Sequence, residues 1–239
     1  MSKKLNTNSN VYIIVYAIIM VVVVAFLLAF VSKALQERSD ANVAIDKKSQ
    51  ILAALNIRNI DKNEVEKIYS QVIVADCVVD ANGEVLKAGN DKDNDAFKMG
   101  SKDISENCLP LYVCSINDEK KFVVPVYGMG LWGGLWGYVS INSDGNTVYG
   151  AYFSHESETA GLGALITEEK FQNQFQGKTV FDMENNVALS VLKVGKTSNT
   201  PEQSRCDAIT GATLTSDGVD NMLKVCLKNY ANVFKRIVK

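Results

Sequence analysis

Histidine occurs once in the 239 residues, at His155, and none of the five cysteines forms a C-x-x-C pair. A Ser-His-Asp or Cys-His site would have to use that single imidazole. Zinc, or a thiolate-held cluster within one chain, is not expected from Cys77, Cys108, Cys114, Cys206 and Cys226 at these spacings. An excess of charge of either sign is lacking as well: 25 Lys and Arg stand against 27 Asp and Glu. The formal net charge is −2, which excludes a broad basic surface for nucleic acid. No internal repeat or low-complexity linker is visible. An odd number of cysteines leaves at least one free thiol if all pairing is intramolecular. Cys108 and Cys114 could bridge a loop in an oxidising compartment or stay reduced, and both readings stay open.

What is plentiful is apolar sequence in one block. Residues 11–31 run without a charge and are apolar or aromatic throughout. At about 1.5 Å per residue this makes a helix of roughly 30 Å, the thickness of a bilayer core. A cleavable signal peptide would carry a shorter apolar region and a small-x-small site. This block is longer and leaves through Ser32-Lys33-Ala34-Leu35-Gln36, a poor cleavage sequence. A retained transmembrane anchor is the reading it favours. Lys3 and Lys4 precede the block, while Lys33, Arg38, Lys47 and Lys48 follow it, so a positive-inside count does not orient the chain.

The expected organisation is a short tail over residues 1–10, the anchor over 11–31, stalk and connecting helices over 32–70, and one domain over 71–239. Residues 32–57 are charged and helix-compatible. Asp61-Lys62-Asn63-Glu64 has capping-box spacing and opens a short helix to about Ser70. Residues 71–79 turn toward strand character, Asn82-Gly83 marks a turn, and residues 84–87 return as a paired strand. Residues 89–107 read as an exposed polar loop. Strands are expected over 122–127, 135–142, 147–154 and 186–194, with a helix over 165–175. From about Asp217, Val219, Met222, Leu223, Cys226, Tyr230, Val233, Phe234 and Ile237 form one helical apolar face. Hairpins with grouped helices indicate α+β: antiparallel sheet with packed helices, plus the N-terminal transmembrane helix.

Three glycine-bearing stretches carry the chemistry. Gly128-Met-Gly130-Leu-Trp-Gly133 satisfies G-x-G-x-x-G, but no helix opens at its third glycine. Nicotinamide binding of the Rossmann type is therefore rejected in favour of a turn between strands with Trp132 packed over it. Glu158-Thr159-Ala160-Gly161-Leu162-Gly163 is a glycine-rich turn ahead of helical sequence. Such a turn permits close backbone approach to a ligand. Asp207-Ala-Ile-Thr210-Gly211-Ala212-Thr213, followed by Leu214-Thr215-Ser216, places hydroxyls beside two very small residues at a helix start. A helix N-terminus holds phosphate well. Read plainly, Thr215 or Ser216 would cap that helix and Asp207 would make an Asx-turn. His155 lies in Ser-His-Glu-Ser-Glu, a polar strand end expected to face solvent, and Glu156 and Glu158 read as a solvated strand face.

The second and third stretches, in this order behind an N-terminal anchor, resemble the E-T-P-G-L-G and D-x-x-T-G-A-T signatures of FMN-binding domains. The resemblance is to the C subunit of the Na-translocating NADH:quinone oxidoreductase and, less closely, to the G subunit of the Rnf electron-transport complex. Ala160 stands where proline is usual. The resemblance implies FMN attached by a phosphoester to Thr213, with Asp207 and Thr210 as the flavinylation signal. It implies further cofactor contacts from Leu131, Trp132, Glu158, Thr159, Gly161 and Leu162. Gly211, Ala212, Leu214 and Thr215 complete that set.

It also implies an external flavin transferase using FAD and Mg²⁺, other membrane subunits as partners, and a bacterial inner-membrane location with the domain on the periplasmic face. The chain would be an electron carrier in NADH:quinone oxidoreduction, with no catalytic residue and no metal ligand of its own. An anchored binding domain without a redox centre, or a tethered hydrolase using His155, are the readings from other classes.

Overall fold

The computed structural model describes residue 7, residues 9–195 and residues 199–237. Lys3 and Lys4 of the expected tail lie outside the described residues. The chain divides into two compact units, residues 1–46 and 47–239. The first is helical. Helix α1 spans Asn10–Ala54, with no glycine or proline to interrupt it. Its N-terminal part is long and apolar enough to cross a membrane. The apolar side chains there are exposed all round, as suits contact with lipid rather than a one-sided core.

The second unit begins with the last turns of α1. Helix α2 covers Lys62–Val72, and the Asp61 carboxylate caps it by accepting from the Asn63 amide at 3.0 Å. Strands β1 (Ile73–Val79), β2 (Val85–Lys87), β3 (Leu109–Ile116), β4 (Glu119–Met129), β5 (Gly134–Asn142) and β6 (Val148–His155) follow. They form one sheet in the order β2-β1-β3-β4-β5-β6, every neighbour antiparallel. Then come 3₁₀ turns at Gly163–Thr167 and Asn173–Phe175, with the single-turn α3 (Glu169–Gln172) between them. Strand β7 (Ser190–Leu192) pairs in parallel with β8 (Arg205–Asp207). Helices α4 (Thr213–Lys228) and α5 (Ala231–Ile237) close the chain.

Strand alternation gives the sheet two buried faces. On one, Phe122, Val124, Val126, Val139, Ile141 and Phe153 join Val219, Met222, Leu223, Leu227 and Phe234 of α4 and α5. The other is covered by residues 47–54 of α1, by Leu55 after it, and by α2. Ser140 donates to the Ala54 carbonyl, and the Trp136 indole donates to Gln50.

The expected α+β architecture stands, with four corrections. Residues 165–175 are not one helix, because Phe171 and Phe175 turn in to pack edge-on against Phe153. The strand expected over 186–194 shrinks to β7. The terminal helix begins at Thr213 and breaks after Lys228. β3 was not expected at all: its Leu-Pro-Leu-Tyr-Val-Cys run is almost continuously buried and shows no alternation. All five cysteines are free thiols, so Cys108 and Cys114 are not bridged.

The polar loop after β2 is tied down by one buried carboxylate. Asp76 is 0% exposed. Its Oδ2 accepts from the Asp95 and Phe97 amides at 2.8 and 3.0 Å, while Oδ1 has no partner. Lys47 donates to the Phe97 and Met99 carbonyls from the opposite side, and burial lowers its ammonium to about 8. Residues 89–107 are thus not simply exposed, and Ala96 is in the core.

Burial outweighs the two amide bonds and raises the Asp76 carboxyl above its ordinary value. The folded pKa exceeds the unfolded one, so this group's stabilising contribution is complete below the unfolded pKa and is lost as pH rises through the folded value. Asp76→Asn keeps an acceptor for both amides and does not titrate. Its melting temperature relative to wild type should become more favourable from about pH 4 to about pH 8. Asp76→Ala orphans two buried amides and should cost roughly 1–3 kcal/mol in denaturant titration.

Candidate functional site

Three segments meet at one end of the sheet. The β4–β5 hairpin extends past β3 and closes with the Gly130 amide donating to the Gly133 carbonyl at 2.8 Å. Residues 156–163 leave β6 beside it. Residues 208–212 lead into α4.

What brings α4 here is its approach to β4. A Cβ on Gly128 would lie 2.7 Å from Met222 Cβ, and one on Gly218 would lie 2.5 Å from the Met129 carbonyl. Where β4 outruns β3, the Cys226 thiol accepts from the Tyr127 amide and donates to the Tyr127 carbonyl, both at 3.4 Å. Backbone left open at a strand edge is thereby satisfied by a side chain.

The cavity between the three segments is about 220 Å³, lined by Leu131, Glu158, Thr159, Leu162, Gly163, Gly211, Ala212, Thr213, Leu214 and Thr215. Of the eleven residues expected at the cofactor, only Trp132 and Gly161 are outside that lining. Trp132 is not packed over the turn but 65% exposed at the rim. Gly161 has φ +75° and faces open space. Gly163 joins the lining although it was not singled out as a contact; its place as the final glycine of the motif is the signal that could have found it. Asp207 and Thr210 sit apart, in a neighbouring cavity of about 610 Å³ shared with Phe171, Gln174 and Ile209.

Glu158 and His155 depart most from expectation. Glu158 is 7% exposed, whereas Glu156 is in solvent, so the two do not share a solvated face. Glu158 Oε1 accepts from the Trp132 amide at 2.9 Å, and Oε2 accepts from the Thr215 hydroxyl at 2.6 Å. Burial opposes its ionisation. Bonds from Thr215 and the Trp132 and Leu131 amides outweigh burial and hold the carboxyl below the ordinary glutamate value. His155 is half-buried, not exposed, and its Nδ1 accepts from the Glu158 amide at 3.1 Å. Among the described residues nothing nucleophilic is bonded to it, so the hydrolase reading has no geometric support there.

The hydroxyls of the 210–216 segment now separate. Thr215 and Ser216 are buried and do not cap the helix. Ser216 donates to the Ala212 carbonyl at 2.9 Å and accepts from the Ile209 amide at 3.0 Å. Thr213 is the first residue of α4, exposed, and without a side-chain partner among the described residues. The residue ahead of it, Ala212, offers no side-chain cap. Asp207 makes no Asx-turn. It lies in β8, where its amide donates to Gln174 Oε1 at 2.9 Å.

Residues 130–228 match the family model of the FMN-binding domain, so fold and site define a flavin-binding class. The match spans all three segments of the cavity. The C subunit of the Na(+)-translocating NADH-quinone reductase of Haemophilus ducreyi is 31% identical over 214 residues, 83% of this chain and 82% of that protein. The crystal structure of the same reductase's C subunit from Parabacteroides distasonis superposes with a TM-score of 0.74 at 36% identity, covering 84% of this chain and 96% of that one. NqrC of Shewanella oneidensis shares the fold, with a TM-score of 0.67 at 24% identity over 82% of this chain and 98% of that one. The chain belongs to the family of the C subunit of the Na(+)-translocating NADH-quinone reductase, an oxidoreductase complex.

The contact at Gly218 can be tested directly. Glycine inside a helix normally costs about 1 kcal/mol relative to alanine. Here Gly218→Ala forces a methyl against a backbone carbonyl. It should destabilise the domain by about 1–3 kcal/mol in denaturant titration rather than stabilise it.

Proposed function

We propose that this chain is the electron-carrying flavoprotein subunit of a membrane Na-translocating NADH:quinone oxidoreductase, with FMN held by a phosphoester on Thr213. The observation that carries this is the free Thr213 hydroxyl on the first turn of α4, at the mouth of a cavity built from both resembling motifs. First-turn amides have no intrahelical partner, and the helix N-terminus is electropositive, so a phosphodiester anion is favoured there. Ala212 brings no side chain to compete for those amides.

The residues fit FMN in a particular way. The cavity is smaller than the roughly 300–1,000 Å³ of ordinary ligand pockets, which suits the phosphate and ribityl end. Leu131, Leu162, Leu214 and Trp132 are all exposed at its edge and offer apolar cover to the isoalloxazine, with Thr159 beside it as a polar contact. Gly161 leaves the approach open. The flavin supplies reversible electron transfer; the protein positions it and sets its exposure.

Attachment needs a second protein. A threonine hydroxyl is a weak nucleophile, and the carboxylate that lines the cavity, Glu158, and the Nδ1 of His155 are both engaged elsewhere. In an external flavin transferase using FAD and Mg²⁺, Thr213 Oγ1 displaces AMP from the FAD pyrophosphate. One P–O bond forms, one breaks, and the hydroxyl proton leaves. Asp207 and Thr210 present themselves to that enzyme from the neighbouring groove. The residue 11–31 segment anchors the chain in the bacterial inner membrane with the domain on the periplasmic face, where covalent attachment prevents loss of the cofactor. The other subunits of the complex are its electron donors and acceptors.

Co-expression of the full chain with a flavin transferase, followed by intact mass measurement, tests this. Wild type should carry the FMN adduct, Thr210→Ala should carry it on Thr213 at lower yield, and Thr213→Ala should carry none. Asp207→Ala should lower the yield about tenfold, the loss of one charged contact, without a change in melting temperature, because its side chain makes no hydrogen bond among the described residues. An adduct surviving in Thr213→Ala would sink the proposal.

A further inference from the structure

Glu158 stands in the lining of the cavity, yet its geometry does not suit it to be a ligand contact. Both of its oxygens are spent inside the protein, on the Trp132 amide at 2.9 Å and the Thr215 hydroxyl at 2.6 Å. Its own amide is held by His155 Nδ1 at 3.1 Å. The protein closes tightly around it. A Cβ on Gly163 would lie 2.5 Å from both Glu158 Oε2 and Thr215 Oγ1, and a Cβ on Gly130 would collide with Oε1. Two glycines, one on the hairpin and one after the turn, therefore leave room for this carboxylate rather than for a cofactor.

The consequences reach all three segments. The hairpin tip with Leu131 and Trp132 is tied to the turn after β6, and that turn is tied to the first turn of α4. These are charge-assisted bonds in a nearly dry place, where such bonds are strongest. Thr215 points its hydroxyl proton at the carboxylate and is 2% exposed. Only two residues away, Thr213 is exposed and has no side-chain partner among the described residues. Both threonines line the same cavity.

We propose that Glu158 is the positioning residue of this site, stapling the hairpin and the start of α4 together and withdrawing Thr215 from the hydroxyls open to esterification, so that Thr213 alone is presented. This rests on the flavin-acceptor reading above for its second half. The staple itself does not.

The test uses the full chain, with and without a co-expressed flavin transferase. Without it, backbone hydrogen exchange is measured in wild type, Glu158→Ala, Glu158→Gln and Thr215→Val. In Glu158→Ala, exchange over residues 130–134 and 213–217 should rise about tenfold or more, as expected from losing charged hydrogen bonds, while β3 is unchanged. Glu158→Gln keeps an acceptor for Trp132 and offers its amide to Thr215, so it should restore most of the protection. Thr215→Val should loosen the start of α4 more than the hairpin.

With the transferase, peptide mapping should find the adduct only on Thr213 in wild type and divided between Thr213 and Thr215 in Glu158→Ala. Unchanged exchange in Glu158→Ala would overturn the staple. An adduct confined to Thr213 at wild-type yield in that variant would overturn the selection. If Glu158→Ala does not fold, the Glu158→Gln and Thr215→Val exchange patterns decide the staple. Adducts in those two variants decide the selection: Glu158→Gln, which keeps a partner for Thr215, and Thr215→Val, which has no hydroxyl there to esterify, should both carry FMN on Thr213 alone, and an adduct on Thr215 in Glu158→Gln would overturn the selection. Absence of any adduct in wild type counts against the acceptor reading and leaves the exchange result standing.

Discussion

The close approach of α4 to the free end of β4 is the constraint from which the site follows. A helix can lie this near a strand only where side chains are missing, and Gly128 and Gly218 supply both gaps. Each glycine costs about 1 kcal/mol in backbone entropy. Opposing that, Val219, Met222, Leu223 and Leu227 are buried, each worth roughly 1.5–3 kcal/mol. Packing wins clearly. The Cys226 thiol then occupies backbone groups of Tyr127 that β3 does not reach. With α4 fixed along this line, its first turn falls beside the hairpin tip and the turn after β6.

Much of this was legible in sequence, for reasons that can be named. The apolar stripe of α4 survives because it faces one continuous surface. The β5–β6 hairpin was readable from Ser143-Asp-Gly-Asn146, since Gly145 adopts φ +70° there and Asp144 Oδ1 accepts from the Asn146 and Thr147 amides at 2.9 Å each. β3 was not readable, because burial on both faces erases the period of two. Residues 165–175 misled in the opposite way. Their helical spacing is real, but Phe171 and Phe175 answer to Phe153, far back in the chain on β6.

At the site, composition was legible and roles were not. The three glycine-bearing stretches, with the Leu214-Thr215 that follows the last, named almost all of the cavity lining. Nothing local marks Glu158 as buried, since Glu-Ser-Glu after a strand reads as a wet surface. Its partners are 26 and 57 positions away in the chain. Thr215 and Ser216 misled likewise. Both are good capping residues by type, yet each spends its hydroxyl on a tertiary or loop contact one turn inside the helix.

The contrast between two helix starts in this chain carries the argument further. At α2, Asp61 caps in the ordinary way and its carboxylate takes a first-turn amide. At α4 the equivalent place belongs to Ala212, which can take none. An alanine in place of a capping residue typically forfeits about 1 kcal/mol. The chain caps α2 well and leaves α4, its longest helix after α1, bare where it opens onto a glycine-lined cavity, and so breaks the local rule there. Such breaks concentrate at functional sites. The anionic charge that would normally cap α4 has not been omitted from the neighbourhood either. It is Glu158, held back by the Leu131 and Trp132 amides and bonded to a side chain of α4 instead of its backbone. Among the described residues, no side chain caps the first turn of α4, and the hydroxyl standing on that turn with no partner is that of Thr213.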